Sequence, residues 1–300
     1  RSTQGRCLLS SPFQGEAGRG YSSALPPLPQ IAYLSPMLDA PRPFLDVTRS
    51  VTGRAWIDRL DAATTRTATA IAQRAGISEI LARIIAARGV SLDEAAAWLE
   101  PTIRGLMPDP STLTAMDALA ERLAKAITDN EAIALFGDYD VDGACSCALM
   151  ARYLRHFGIE PQVHIPDRIF EGYGPNIAAM DKLIDSGASL VITLDCGTTS
   201  DGPIAHARGR GADVLVIDHH LSDHELPDAT ALVNPNRPDD ISGLGYLCAA
   251  GVTFMVLVAV NRALRNRGDT GLPDLLKLLD LVALATICDV VPLTGLNRAF

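Results

Sequence analysis

The fold is decided by residues 133–143, IALFGDYDVDG, in which a short apolar run ends in three closely spaced aspartates and a glycine. The same plan recurs downstream, because Asp195 follows the run 190–194 and residues 218–220 follow the run 214–217. Short aliphatic runs that end in polar turn residues are typical of strands buried on both faces. The chain therefore repeats one local pattern, a buried strand followed by a polar loop.

From residue 131 onward, candidate strands alternate with candidate helices. The predicted strands are 133–136, 162–165, 190–194, 214–217 and 231–233, and the predicted helices between them are 144–157, 177–186 and 200–210. This alternation predicts an α/β fold, a mostly parallel sheet with helices on both faces. Two longer helices, 245–265 and 273–290, are expected after the last strand.

Composition and periodicity divide the chain into three segments. Residues 1–45 are rich in Gly, Pro and Ser, so we interpret them as a disordered leader, with Met37 a candidate for the true start. Residues 46–130 predict a small helical N-terminal segment, in which Ser91 and Glu94 have the spacing of a capping box. Residues 131–300 form the predicted α/β domain.

The bulk composition limits the class of protein. The chain has 300 residues, 48% of them hydrophobic, which is enough to build a substantial core. Its net charge of −9 argues against a broadly basic nucleic-acid coat, although ligand carboxylates contribute to the acidic count. The six cysteines lack C-x-x-C spacing, and no apolar run is long and uncharged enough for a bilayer. We therefore expect a reduced, cytoplasmic protein without a membrane segment.

Carboxylates and imidazoles stand at the ends of four apolar segments: Asp138, Asp140, Asp142, Asp195, His219, His220 and Asp289. Ligands collect outside the carboxyl ends of parallel strands, so one site can gather most of these side chains. Buried charges are costly unless they are compensated, and a pair of divalent ions would compensate them. Carboxylates fit Mg²⁺ or Mn²⁺, and the imidazole favours Mn²⁺.

The same residues also allow interpretations other than a metal site. The cluster that begins at Asp138 has the D-x-D-x-D-G form of a calcium loop, or it is a solvated acidic turn. An EF-hand requires a Glu at the twelfth position, and that position is Leu149. Asp195 taken alone is equally consistent with an ordinary turn or a helix cap. The combination with the other sites favours the metal hypothesis.

Six segments together carry a resemblance: 136–143, FGDYDVDG; 168–174, RIFEGYG; 218–220, DHH; 233–235, VNP; 247–252, LCAAGV; and 285–292, ATICDVVP. They resemble the DHH phosphoesterase superfamily, and within it the RecJ branch of single-strand-specific 5′-to-3′ exodeoxyribonucleases. The resemblance covers about residues 51–300. It identifies residues 131–300 as a DHH phosphoesterase domain.

The resemblance implies a two-metal centre in which Asp195 bridges the ions. Many relatives outside the RecJ branch have a His where this chain has Phe136, so Asp138 is the candidate to fill that place. The expected metal ligands are Asp138, Asp140, Asp142, Asp195, His219 and Asp289. The expected catalytic residues are Asp138, Asp195, His219 and His220, and the expected substrate contacts are His220, Arg168 and Tyr173.

The implied function is metal-dependent 5′-to-3′ hydrolysis of single-stranded DNA in repair and recombination, with a single-strand-binding protein and a helicase as candidate partners. Two alternatives remain open. One is a DHH hydrolase of small substrates such as pyrophosphate, an oligonucleotide or a cyclic dinucleotide, and the other is an inactive DHH scaffold of a replication complex. The family also implies a DHH-associated domain and an OB-fold, which are missing before Phe300. We therefore expect this chain to bind Mn²⁺ but to degrade DNA poorly by itself.

Overall fold

The computed structural model describes residues 43–222 and 225–300. The predicted leader therefore lies outside the described residues, except for residues 43–45. The chain divides into two compact units on either side of the Arg59–Leu60 bond. In the first unit, a 3₁₀ turn, Phe44–Asp46, is followed by a chain reversal in which Phe44 N donates to Trp56 O at 2.8 Å.

The second unit begins with five helices: α1 (Ala62–Ala75), α2 (Glu79–Ala86), α3 (Ala95–Leu99), α4 (Ile103–Leu106) and α5 (Met116–Thr128). Ile71 of α1 and Ile85 of α2 are fully buried in a small apolar cluster of these first helices. The capping box ahead of α3 is confirmed, because Glu94 N donates to Ser91 Oγ (3.3 Å) and Ser91 N donates to Glu94 Oε2 (3.0 Å). These reciprocal bonds satisfy backbone donors at the start of that turn.

A five-stranded parallel sheet follows, in the spatial order β2-β1-β3-β4-β5. Its strands are β1 (Ile133–Gly137), β2 (Gln162–His164), β3 (Leu190–Leu194), β4 (Asp213–Ile217) and β5 (Ala231–Val233). The helices after β1 are α6 (Val141–His156), α7 (Ile177–Asp185), α8 (Asp201–Gly209), α9 (Ala249–Asn266) and α10 (Leu279–Cys288). The predicted α/β class with a parallel sheet is confirmed.

The two faces of the sheet carry separate apolar cores. Leu135 and Ile192 point into the larger core, which also contains residues of α5, α6, α9 and α10. Phe136 and Val191 point to the opposite face, against residues of α7 and α8. Because neighbouring residues of a strand face opposite sides, both faces need an apolar cover. This explains why the strands are continuous apolar runs.

The observed strands differ from the predicted ones by at most one residue at either end. The helix bounds differ more. α6 begins at Val141, ahead of the predicted 144, because Asp140 Oδ1 accepts a hydrogen bond from Gly143 N (3.0 Å) and caps the helix there. α9 begins at Ala249, after the predicted 245. The predicted helix 273–290 is divided into a 3₁₀ segment, Leu275–Leu278, and α10.

Within residues 43–222 and 225–300, none of the helices combines the length and apolarity that a membrane span requires. The cysteines of these ranges are all free. Four of them are buried, namely Cys145, Cys147, Cys196 and Cys248, whereas Cys288 at the end of α10 is exposed.

Candidate metal centre

The winding of the chain reverses between β1 and β3, because β2 lies on the far side of β1. In open α/β sheets, ligands bind outside the carboxyl ends of the strands at such a switch point. Asp138 follows β1 at this edge, and Asp195 follows β3. Asp138 N donates to Leu194 O (3.2 Å) and Asp195 N donates to Ile217 O (2.9 Å), so the ladder of backbone bonds continues into both loops.

The loop after β1 brings helix α6 close to the strand end. A Cβ atom on Gly143 would lie 2.5 Å from the backbone oxygen and 2.7 Å from the backbone nitrogen of Asp138, so only glycine fits there. Asp138 is buried, and burial raises the pKa of its carboxyl group. Asp140 is exposed and caps α6. The loop thus presents one buried and one exposed carboxylate.

Asp142 lies in the first turn of α6 and is almost completely buried. Its Oδ2 accepts a hydrogen bond from Ala249 N (2.6 Å), and its Oδ1 accepts one from Ala250 N (2.8 Å). These are the first two residues of α9, so Asp142 of one helix satisfies the free amides at the start of another. Burial nevertheless raises the pKa of Asp142, since the two amides offset only part of the desolvation cost.

Asp195 has a left-handed backbone conformation, with φ of 63°, and its side chain is 1% exposed. Its Oδ1 finds no hydrogen-bond partner among the residues that the structure describes, although His219 Nε2 lies 3.3 Å away. Burial, together with the charges of Asp142 and Asp140, raises the pKa of Asp195 to about 8. Burial thus favours the neutral acid, and an adjacent cation would be needed to hold the carboxylate form at neutral pH.

His219 is placed between several carboxylates. Its Nδ1 lies 3.1 Å from Leu247 O, and an Nδ1–H that donates to this carbonyl leaves the Nε2 lone pair free. Nε2 lies 3.8 Å from both Asp142 Oδ2 and Asp289 Oδ2. Burial would lower the pKa of His219, but the carboxylates around Nε2, Asp195 above all, raise it to about 9. The imidazole is thus held as a metal ligand would be.

Asp289 comes from the far end of the described chain, as the C-cap of α10. Its Oδ2 is buried and has no hydrogen-bond partner within the described ranges, while the side chain as a whole is 23% exposed. Burial raises the pKa of Asp289, and the charge of Asp140 adds to the effect. Asp289 therefore provides a second carboxylate oxygen without a donor at the same site.

Asp218 and His220 form a separate pair beside these groups. Asp218 Oδ1 accepts a hydrogen bond from His219 N (2.7 Å) and lies 2.8 Å from His220 Nδ1, while its Oδ2 accepts one from Thr198 N (3.0 Å). Burial alone would raise the pKa of Asp218, but the bonds from His220 and Thr198 outweigh burial and lower it. Asp218 thus orients His220, whose side chain is 44% exposed.

Three overlapping groups of side chains have ligand atoms within 4.8 Å of one another. We name Asp138, Asp140 and Asp195 the strand-end group, and Asp142, His219 and Asp289 the helix-held group. The third group, Asp195, His219 and His220, joins the other two. Oxygen and imidazole donors, two of them buried carboxylate oxygens without a partner, fit a pair of hard divalent ions. All the predicted metal ligands are brought together by the fold.

The loop that contains Arg168 and Tyr173 reaches the same edge. The Tyr173 hydroxyl donates to Asp195 O at 3.5 Å, and its ring meets the His220 ring edge to face at 5.7 Å. The Arg168 guanidinium lies 4.8 Å over the ring of Tyr139, between Asp138 and Asp140 in the sequence. Burial and the neighbouring carboxylates raise the pKa of the Tyr173 phenol, so it stays protonated. Arg168 and Tyr173, like His220, therefore lie beside the candidate metal groups.

Two asparagines outside the predicted site hold the backbone of the histidines. Asn234 is fully buried and donates through Nδ2 to His220 O (2.8 Å). Asn236 donates through Nδ2 to His219 O. The sequence signal was a polar loop directly after β5, at the same edge as the other sites. It did not reveal the partners, because these bonds span more than a dozen residues.

Comparisons with known proteins agree with this geometry. The chain matches the DHH family, N-terminal domain, over residues 132–286. It is 37% identical over 230 residues to the single-stranded-DNA-specific exonuclease RecJ of Salmonella typhimurium, covering 75% of this chain and 39% of that protein. It is 40% identical to the RecJ of Dickeya dadantii, covering 73% of this chain and 38% of that protein. The chain thus spans about two fifths of the length of these relatives.

Solved structures show the same similarity. A crystal structure of exonuclease RecJ bound to manganese superposes with a TM-score of 0.56 and 33% identity, covering 65% of this chain and 47% of that one. RecJ from Thermus thermophilus in complex with Mn²⁺ superposes with a TM-score of 0.62 and 28% identity, covering 80% of this chain and 32% of that one. The family match extends over more than half of the chain. The chain belongs to the DHH family.

Proposed function

We propose that this chain carries the two-metal centre of an exonuclease that hydrolyses phosphodiester bonds in single-stranded DNA from the 5′ end, with two Mn²⁺ or Mg²⁺ ions. One observation carries the proposal: three carboxylates, from a loop after a strand, the first turn of α6 and the end of α10, surround Nε2 of His219 at the carboxyl edge of the sheet. The names of the RecJ relatives, two of them solved with manganese, support it.

The two ligand groups suggest one ion each. The helix-held group and the strand-end group are joined where His219 Nε2 lies 3.3 Å from Asp195 Oδ1, so Asp195 is proposed as the bridge. Ions bound in these groups would supply Lewis acidity to the scissile phosphodiester and lower the pKa of an attacking water. Without cations the carboxylates repel one another, so two divalent ions would balance their negative charge.

His220 is proposed to contact the phosphate. Asp218 binds its Nδ1 side, and the other ring nitrogen, Nε2, lies 3.4 Å from the Tyr173 hydroxyl. The hydrogen bond to Asp218 raises the pKa of His220, so the ring readily carries the proton that a phosphate oxygen would accept. Its exposure makes this contact possible, whereas His219 is almost enclosed.

Arg168 and Tyr173 are proposed to contact the single strand. The Tyr173 ring is about half exposed, so one face can stack on an unpaired base, an interaction worth about 1–3 kcal/mol per base. Arg168 is exposed and stacked over Tyr139, which holds its guanidinium near the strand-end group. A cation there would balance a DNA phosphate that approaches the carboxylates.

Finer features of the function belong to the same proposal. We propose a role in DNA repair and recombination, action in the cytoplasm, and cooperation with a single-strand-binding protein and a helicase. The proposed domain limits are a helical segment at 46–130 and a DHH domain at 131–300. The repair role and the partners follow from the family resemblance, whereas the domain limits and the location follow from composition and sequence pattern.

The proposal is tested with the chain and its Asp195→Ala variant, each incubated in excess with Mn²⁺ and single strands labelled at the 5′ or the 3′ end. Release of labelled mononucleotides from the 5′ end by the chain but not by the variant is expected. A cyclic dinucleotide is assayed in parallel. Cleavage of the dinucleotide but not of the strand would overturn the proposal in favour of a small-substrate hydrolase. Cleavage of neither, together with failure to bind Mn²⁺, would favour an inactive scaffold.

A further inference from the structure

The segment between residues 246 and 250 contacts two proposed metal ligands through its backbone. Leu247 O is 3.1 Å from His219 Nδ1. The amides of Ala249 and Ala250 donate to the two oxygens of Asp142, at 2.6 and 2.8 Å. The position of this segment therefore sets the orientation of both ligands at once, and two of the three members of the helix-held group depend on it.

The same segment is attached to the chain that follows the third ligand, Asp289. Asn297 donates through Nδ2 to Tyr246 O (2.7 Å) and to Pro292 O (2.9 Å). Both neighbours are carbonyl oxygens, so the amide nitrogen, not the amide oxygen, must face them. Asn297 is 4% exposed. Its two bonds join the segment before α9 to the turn three residues after Asp289.

Two further contacts keep this attachment close. The Tyr246 hydroxyl accepts a hydrogen bond from Leu296 N at 3.2 Å. Gly295 packs on the Tyr246 ring so tightly that a Cβ atom there would collide with the hydroxyl. Neither of the two bonds that Asn297 donates goes to a residue of the strand-end group. Tyr246 directly precedes Leu247, whose carbonyl contacts His219, and Pro292 follows Asp289 by three residues, so the attachment adjoins the helix-held group.

We propose that Asn297 is a positioning residue for the helix-held group, Asp142, His219 and Asp289. It acts by fastening the segment that orients Asp142 and His219 to the turn that follows Asp289. The inference rests on the proposed function, because it presumes that these side chains bind a metal ion. Without the two donated bonds, the facing carbonyls of Tyr246 and Pro292 lose their shared donor and move apart. The three ligand side chains are then no longer held at fixed distances from one another.

In the test, the metal-free protein is titrated with Mn²⁺, and binding is monitored by calorimetry and by electron paramagnetic resonance. The Asn297→Leu variant is compared with the Asn261→Leu variant. Asn261 is a matched control, since it is also buried and also makes two side-chain bonds, to the Tyr153 hydroxyl (2.8 Å) and to Pro273 O (3.2 Å). It lies at the other end of α9 from the metal groups. Asn297→Ser, which keeps one donor, is measured in parallel.

The unchanged chain is expected to bind two ions that show magnetic coupling. In Asn297→Leu, one ion should bind about tenfold more weakly, the low end of the cost of losing a partner that bonds a ligand directly, because Asn297 acts through the intervening backbone, and the spectrum should become that of one isolated ion. Asn297→Ser should lie between. Asn261→Leu should lower the melting temperature comparably but leave both affinities within about twofold of the unchanged chain.

Each other outcome decides against the inference. Two ions bound at unchanged affinity in both Asn297 variants would overturn it, as would an equal weakening of both ions. If the Asn297 variants fail to fold while Asn261→Leu folds, the residue serves folding and not the helix-held group. Failure of the unchanged chain to bind Mn²⁺ would instead overturn the proposed function, so the two failures are distinguishable.

Discussion

The strand-end group and the helix-held group lie within a few ångströms of each other, yet the chain builds them in different ways. Asp138 and Asp195 directly follow two adjacent strands, and their backbone amides continue the ladder of the sheet, while Asp140 lies two residues after Asp138 as the N-cap of α6. Asp142, His219 and Asp289 come from two helices and a loop, and two of them are oriented by the backbone at the start of α9. The first group depends on strand pairing, the second on how helices pack over the sheet.

Because the two groups are built differently, a local structural disturbance should affect one group before the other. A disturbance of the loop after β1 should reach the strand-end group first, because Gly143 allows that loop to touch Asp138. A disturbance of α9 or of the final turn should reach the helix-held group first. Asp195 and His219, whose side chains lie 3.3 Å apart, connect the two groups and should transmit either disturbance.

The largest expected effect comes from removing that connection. Asp195→Ala should weaken binding of both ions by more than about 100-fold, since the loss of a ligand exceeds the loss of an outer-shell partner, and should abolish nuclease activity. Calorimetric titration with Mn²⁺ measures it, with Asp201→Ala, an exposed aspartate in the first turn of α8, as the control. Retention of one tightly bound ion would show that the groups are independent.

The second-largest effect concerns the loop after β1, on which the strand-end group depends. Gly143→Ala places a methyl group against the Asp138 backbone and should lower the free energy of unfolding by about 1–3 kcal/mol. Gly202→Ala is the matched control, because Gly202 is also in the first turn of a helix after a strand but has open space around it. It should be neutral or stabilising by about 0.5–1 kcal/mol. Urea unfolding measures both variants, and equal effects would contradict the close approach.

A smaller effect is expected from pH. The pKa values of Asp195 and His219 are raised to about 8 and about 9, so in the metal-free protein their contribution to stability is present at low pH and is lost as the pH rises through these values. Metal binding displaces these protons. The affinity for Mn²⁺ should therefore increase between about pH 6 and pH 8.5, by up to about tenfold per unit for each proton displaced.

Titrations in two buffers of different ionisation enthalpy count the protons released with each ion. Release of less than one proton per chain at pH 7 would contradict the raised pKa values. In the same pH range, the metal-free protein should unfold at lower urea concentration as the pH rises. The opposite trend would show that the carboxylates do not repel one another as the geometry indicates.

The smallest effect concerns the substrate contacts. Tyr173→Phe removes the hydroxyl that reaches Asp195 O and His220, and should reduce kcat/KM on single-stranded DNA by about fivefold, equivalent to about 1 kcal/mol. Tyr173→Ala should raise KM further, because it also removes the stacking surface. Steady-state kinetics on short single strands measure both. An alanine variant no worse than the phenylalanine variant would exclude stacking.

The strand-end group was predictable because strand and loop follow one another in the sequence. The apolar run before Asp138 gives the strand, and the parallel arrangement places Asp195 at the same edge. In the helix-held group, Asp142 and His219 were predicted from the same strand-end pattern, whereas Asp289 was joined to them through resemblance, since no local pattern joins Asp142 to Asp289. The roles of Ala249, Ala250 and Asn297 were not predicted at all. Their bonds depend on which helix lies over which, and a single sequence does not state that.

The left-handed backbone of Asp195 has a consequence for directed evolution. This conformation costs roughly 1–2 kcal/mol for a residue with a Cβ atom, and the buried carboxylate adds repulsion to that cost. Glycine at this position relieves both, so a library of variants screened only for heat resistance in the absence of metal should become enriched in replacements of Asp195. Selection for heat resistance alone would then remove the proposed metal bridge first, unless the screen also requires metal binding.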